Sequence, residues 1–186
     1  MITTSSQAGD AALHQRVDDL IAAAGLDDVA SVTEVLTAVS RHRGRRLELE
    51  PMPADLQAGE VFGLCLPYPD RDVVLFRTGA GPEHELHSTL HECGHLLLGH
   101  VAAAGTPAPA LDSAPTGDSA PAGGVLPRLL PDLDPELVAG ALARSSYEDT
   151  QEREAELFAM KVRQTITAAS QRRGDAILRR FDDALG

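Results

Sequence analysis

His91-Glu92-Cys93-Gly94-His95 stands inside the apolar run from Leu90 to Leu98. On a helix, residues four apart share a face, so this H-E-x-x-H pattern presents both imidazoles to one metal ion and sets Glu92 beside it. Zn²⁺ is the ion that this donor spacing suits, and a hydrolytic zinc site needs a carboxylate near the water it acidifies. The stretch therefore predicts a metal-binding helix with Glu92 as candidate catalytic base and His91 and His95 as candidate ligands.

The flanks support a helix. Gly79 and Gly81 break what precedes it, Pro82 with Glu83 and Glu85 suits a first turn, and Gly99 suits a stop. Leu86, Leu90, Leu97 and Val101 are spaced to bury one side, so the motif is expected on a core-anchored element. His100 follows His95 by five residues, which does not fit the six-residue spacing of a third histidine ligand. It reads as an ordinary histidine, as do His84 and His87, and Cys93 reads as packing.

Upstream the period changes. Leu47 and Leu49, with Met52 beyond them, alternate with charged residues as in a half-buried strand, and Pro51 and Pro53 close it. Val61 to Leu66 and Asp72 to Arg77 are β-rich runs joined by Pro67-Tyr68-Pro69-Asp70-Arg71, which predicts a hairpin. A small antiparallel sheet is thus expected ahead of the motif helix. Before it come two helices: Ala11 to Ala24, stopped by Gly25, and one opened by a Ser31/Glu34 capping box and ended by Gly44. Residues 1–10 read as a flexible polar tail. The basic cluster Arg41, Arg43, Arg45 and Arg46 reads as a solvated helix end and turn.

Downstream, residues 102–127 are dominated by Ala, Pro, Gly, Ser, Thr and Asp, the composition of a disordered insertion. Asp134 and Pro135 suit the start of a helix through Leu142, and Ser146 with Asp149 the start of a longer one to about Ser170. Gly174 is expected to break it before a short terminal helix. Tyr147 is a candidate oxyanion donor. A catalytic zinc takes three protein ligands, and Glu148, Glu152 and Glu156 form one stripe on the late helix. One of these carboxylates can bind the metal while another, a turn away, accepts a hydrogen bond from a ligand imidazole.

Composition narrows the function classes. A formal net charge of −12 disfavours general binding to nucleic acid or to an anionic membrane, since both need excess Lys and Arg. Aromatic residues make up only 3% of the chain, so the core is expected to be aliphatic and largely helical. Two cysteines, Cys65 and Cys93, make no disulfide framework. With neither a signal-peptide pattern at Met1 to Asp10 nor an apolar stretch of spanning length, the expected setting is the reducing cytoplasm.

The order helix pair, small sheet, H-E-x-G-H-x-L-L helix and E-x-E-A-x-x-F-A helix resembles the ImmA/IrrE metallopeptidases. The resemblance spans roughly Leu47 to Met160, and its specific parts are His91 to Leu98 and Glu152 to Ala159. It implies a bacterial gluzincin-type zinc site with His91, His95 and Glu152 as ligands and Glu92 as catalytic acid/base. Glu156 would stand where related gluzincins often place an aspartate that orients a ligand histidine. The implied activity is cleavage of a cognate helix-turn-helix transcriptional repressor, with no direct contact to nucleic acid. The segment Ala159-Met160-Lys161-Val162 departs from the family's usual Leu-Leu-Met-Pro-like ending. A competing reading keeps the fold but makes the chain a non-catalytic regulatory or toxin-antitoxin component that binds a partner protein. Residues 1–186 are thus expected to form one α+β domain, mostly helical and zincin-like, with the small antiparallel sheet preceding the motif helix.

Overall fold

The computed structural model describes residues 3–53, 63–68, 70–101 and 149–185. The insertion at 102–127, the helix expected from Asp134, and Ser146, Tyr147 and Glu148 lie outside the described residues. Among the described residues, four helices and three strands follow in the order α1 (Thr3–Ala24), α2 (Val32–Arg43), β1 (Arg46–Pro51), β2 (Gly63–Pro67), β3 (Arg71–Phe76), α3 (Pro82–Leu98) and α4 (Asp149–Leu185). The protein is thus α+β and mostly helical. No helix among the described residues is long and apolar enough to cross a membrane.

Local chemistry sets most element ends. Ser31 caps α2 by accepting from the Glu34 N–H, while the Glu34 carboxylate reaches back to the Ala30 N–H. Gly44 ends α2 and Gly99 ends α3, both in the left-handed region where a side chain is strained. Two helix boundaries differ from expectation. α1 begins at Thr3, so residues 3–10 are helical and not a flexible tail; its first turns hold little to bury and therefore leave no apolar periodicity. α4 runs unbroken through Gly174. A glycine inside a helix costs about 1 kcal/mol relative to alanine. Just before it, Arg172 and Arg173 tie the helix to Asp28 and Glu34 across 2.6 and 2.7 Å.

The sheet order is β1-β3-β2. β2 and β3 form the expected antiparallel hairpin, with Cys65 opposite Val74, but β1 pairs parallel to β3, with Leu49 opposite Val74. The sheet is therefore mixed, not antiparallel. Alternation shows which face of a strand is buried and is silent on which neighbour it joins. β3 is central and buries Val73, Val74 and Leu75 in succession, as a strand covered on both faces does.

The basic cluster also departs from expectation. Asp72, almost wholly buried, receives Arg43 Nε at 2.6 Å and Arg45 Nε at 3.3 Å. Arg43 also donates to the Leu96 carbonyl, so this clasp joins α2, β3 and the end of α3. Half of the cluster is structural because a buried carboxylate requires cationic partners.

α3 is the central helix. One side meets α4 and the other meets β2 and β3, while α1 and α2 complete the core around Val17, Leu26, Val35, Val39, Leu90 and Phe158. A smaller cluster of Cys65, Val74, Leu96 and Val101 seals α3 against the sheet. The helix that carries the motif is held on both flanks.

Candidate metal centre

The crossing of α3 and α4 builds the site. Gly94 lies against α4 so closely that a Cβ there would stand 3.0 Å from a Phe158 ring carbon and 3.2 Å from Ala155 Cα. Two small residues, Gly94 and Ala155, let the backbones approach. This brings Glu152, in the first turn of α4, over the face of α3 that bears His91 and His95.

Three donor groups converge there. His91 Nε2 is 3.0 Å from His95 Nε2 and 3.3 Å from Glu152 Oε2, and His95 Nε2 is 3.6 Å from Glu152 Oε1. Zn–N bonds of 2.0–2.1 Å in a tetrahedron place neighbouring donors roughly 3.3 Å apart. The three observed separations bracket that value, so these residues fit a tetrahedral divalent ion with one position left open. His91, His95 and Glu152 form one group positioned to hold a metal ion, and His87, His91 and Glu156 form another. The groups share His91, and a neutral imidazole has one lone pair, so one imidazole cannot serve both at once.

Electrostatics favour ligation. Burial lowers the basicity of His91, against an opposing pull from Glu152 and Glu156. Burial also pushes His95 down to about 3, with help from His91 and His100. Both rings are therefore neutral near pH 7, the form in which imidazole binds metals. Glu156 Oε2 sits 3.7 Å from His91 Nδ1 and 3.1 Å from His87 Nε2, behind the ligand ring and away from Glu152. At 3.7 Å the contact with His91 is longer than a hydrogen bond.

Glu92 is buried where α3 faces β2. β2 boxes it in: the Cys65 thiol lies 3.2 Å from Glu92 Oε2, and a Cβ on Gly63 would come within 2.6 Å of Glu92 Cγ and Oε1. Any side chain at 63 would have to displace the Glu92 carboxylate. Burial raises the Glu92 carboxyl to about 7, the Cys65 contact lowers it, and Glu152 adds to the rise. A carboxyl poised near neutrality can take and return a proton at physiological pH. Burial also holds the Cys65 thiol well above its usual range and pushes Cys93 up to about 12, so both stay protonated. Cys93 is packing, as its sequence position suggests.

Sequence reasoning passed over His100, Glu154, Cys65 and Gly63. His100 is not on the helical face at all. Gly99, with φ of 75°, turns the chain so that the His100 N–H bonds back to the His95 carbonyl at 3.0 Å and its ring stands edge-on to the His95 ring, centroids 5.1 Å apart. The signal that could have found it is the glycine stop immediately before a histidine. Glu154, two residues after Glu152, points to another side of α4 and is buried. A cleft of about 500 Å³ opens beside His91, Glu152 and Glu156, with Leu13, Leu157 and Met160 among its walls. No protein-family model, curated protein or solved structure matches the chain.

Proposed function

We propose that the protein is a zinc-dependent metallopeptidase of the gluzincin type on a zincin-like fold, working in the cytoplasm. The observation that carries this reading is the convergence of His91, His95 and Glu152 at tetrahedral donor spacing beside the buried, near-neutral carboxyl of Glu92. Zinc is the ion of choice because two imidazoles and one carboxylate with an open position are its common catalytic donor set.

When bound, zinc supplies an acidified water and polarises the scissile carbonyl. Glu92 accepts the water proton and returns it to the leaving amine, which a carboxyl near pKa 7 does in both directions. The protonated Cys65 thiol and the close backbone at Gly63 hold the Glu92 carboxylate in place. The cleft beside Glu152 receives the peptide, its apolar walls at Leu13, Leu157 and Met160 excluding water from one side of the bond. By resemblance of the two motif blocks, the substrate proposed is a cognate helix-turn-helix repressor.

The test is to incubate the zinc-loaded protein with any helix-turn-helix protein encoded beside it and map fragments by mass spectrometry. Cleavage is expected, and chelation should abolish it. Glu92→Gln should keep stoichiometric zinc while turnover falls by about 10²–10⁴-fold. Cleavage that survives this substitution removes Glu92 from its role; tight association without any cleavage transfers the assignment to a regulatory partner-binding protein.

A further inference from the structure

Behind the candidate metal centre, a line of buried polar groups leads away from His95 and out to the surface at α1. His95 Nδ1 is 3.0 Å from His100 Nδ1, His100 Nε2 is 2.9 Å from Glu154 Oε2, and Arg16 donates to Glu154 Oε1 at 2.8 Å. The three inner side chains are nearly sealed from solvent, with His95 at 0%, His100 at 4% and Glu154 at 6% exposure, whereas Arg16 is 57% exposed. Three segments far apart in sequence supply it: α1, the end of α3 and α4.

We propose that His100, Glu154 and Arg16 are positioning residues that fix the direction of this hydrogen-bond chain and so hold His95 in the tautomer whose Nε2 lone pair faces the metal. This inference rests on the metal-site reading above.

The direction follows from what each atom can do. An ionised carboxylate only accepts, and Arg16 occupies one Glu154 oxygen as a donor. The other Glu154 oxygen must therefore receive the proton of His100 Nε2. When His100 carries a single proton, that proton lies on Nε2 and Nδ1 is bare, so Nδ1 can only accept from His95 Nδ1. His95 then carries its proton on Nδ1 and has a bare Nε2. That nitrogen is the one facing His91 and Glu152. A ligand histidine usually donates its second N–H straight to a carboxylate or a carbonyl. Here the acceptor is another histidine, which can act either way, and Glu154 with Arg16 imposes the polarity from the far end. In the metal-free protein the same pattern makes His91 the donor in the 3.0 Å contact with His95, and freeing that nitrogen for a metal moves the proton to His91 Nδ1, the edge that faces Glu156.

Glu154→Gln is the decisive variant, because it keeps the shape and reverses the logic. Arg16 claims the amide oxygen, the amide NH₂ faces His100 Nε2, His100 turns donor at Nδ1, and His95 is left protonated at Nε2. Zinc affinity, measured by competition with a chromophoric chelator, is expected to fall about 10–100-fold. Arg16→Ala alone should lower it less, since the Glu154 carboxylate still accepts. The pair Arg16→Ala with Glu154→Gln frees the amide to flip its oxygen towards His100 and should regain at least roughly threefold over Glu154→Gln alone. A role in packing alone predicts additive loss in the double variant. Independently of whether Glu154→Gln folds, ¹⁵N–¹H correlation of the histidine rings in the metal-free wild type should show His95 protonated at Nδ1. Protonation at Nε2, or wild-type zinc affinity in folded Glu154→Gln, overturns the relay and leaves the metal site standing. Failure of the wild type to bind zinc stoichiometrically overturns both.

Discussion

The role proposed for Glu92 sets two opposed demands, because a general base must ionise and a fully packed side chain resists charge. Its folded-state carboxyl sits at about 7, against an ordinary value of 4.5. The folded protein therefore holds this proton more tightly than the unfolded chain does. The resulting stabilisation is complete below about pH 4.5 and is lost as pH rises through 7, a change of about 3 kcal/mol. His95 has the opposite sign: its value of about 3 makes the fold lose stability as pH falls from 6.5 through 3. Comparing the wild type with Glu92→Gln cancels the His95 contribution. In metal-free protein kept under chelator, Glu92→Gln should match the wild type near pH 4 and exceed it by about 3 kcal/mol at pH 8, measured by urea unfolding. A constant difference across that range would mean that Glu92 is not desolvated.

At the scale of elements, the site depends on how near α4 comes to α3. Gly94 and Ala155 set that distance, and a Cβ on Gly94 already falls at 3.0 to 3.3 Å from Phe158 and Ala155 atoms, two of them backbone. Gly94→Ala has to push the helices apart by a few tenths of an ångström, and Gly94→Val by more. The valine variant should lose about 1–3 kcal/mol of stability by overpacking and, because Glu152 moves with α4, bind zinc more weakly than the alanine variant. Equal zinc affinity in both would separate the crossing distance from the ligand geometry. The motif residues of this crossing were legible in the sequence because helical spacing alone puts His91 and His95 together, and a run of carboxylates narrows the third ligand to a few positions. Other features depend on contacts that no local period encodes. The parallel pairing of β1 with β3, the Arg43 and Arg45 clasp on Asp72, and the backward turn at Gly99 that sets His100 against His95 are all of this kind.

Across the whole molecule, the ligand set links two helices that are distant in sequence. His91 and His95 belong to the central helix, anchored on both flanks, while Glu152 lies at the start of a 37-residue helix whose second half carries exposed ion pairs at Arg172 and Arg173. Such surface pairs contribute little, of order 0–1 kcal/mol each. The α3–α4 interface around Phe158, Ala155 and Leu90 thus holds α4 by apolar burial, and a metal adds a crosslink at its N-terminal end. An ion that binds only the folded state stabilises it by about 4 kcal/mol at a thousandfold excess over Kd. For a chain of this size that corresponds to a rise in Tm of roughly 8–16 °C. Glu152 itself is 44% exposed and touches the core little, so Glu152→Ala should leave the metal-free Tm within about 2 °C of wild type. The same substitution should abolish most of the zinc-induced rise, since two histidines on one helix hold zinc without bridging α3 to α4. Calorimetry with and without zinc on both proteins tests this directly. A full zinc-induced rise in Glu152→Ala would assign the third ligand to another residue, with Glu156 next in reach of His91.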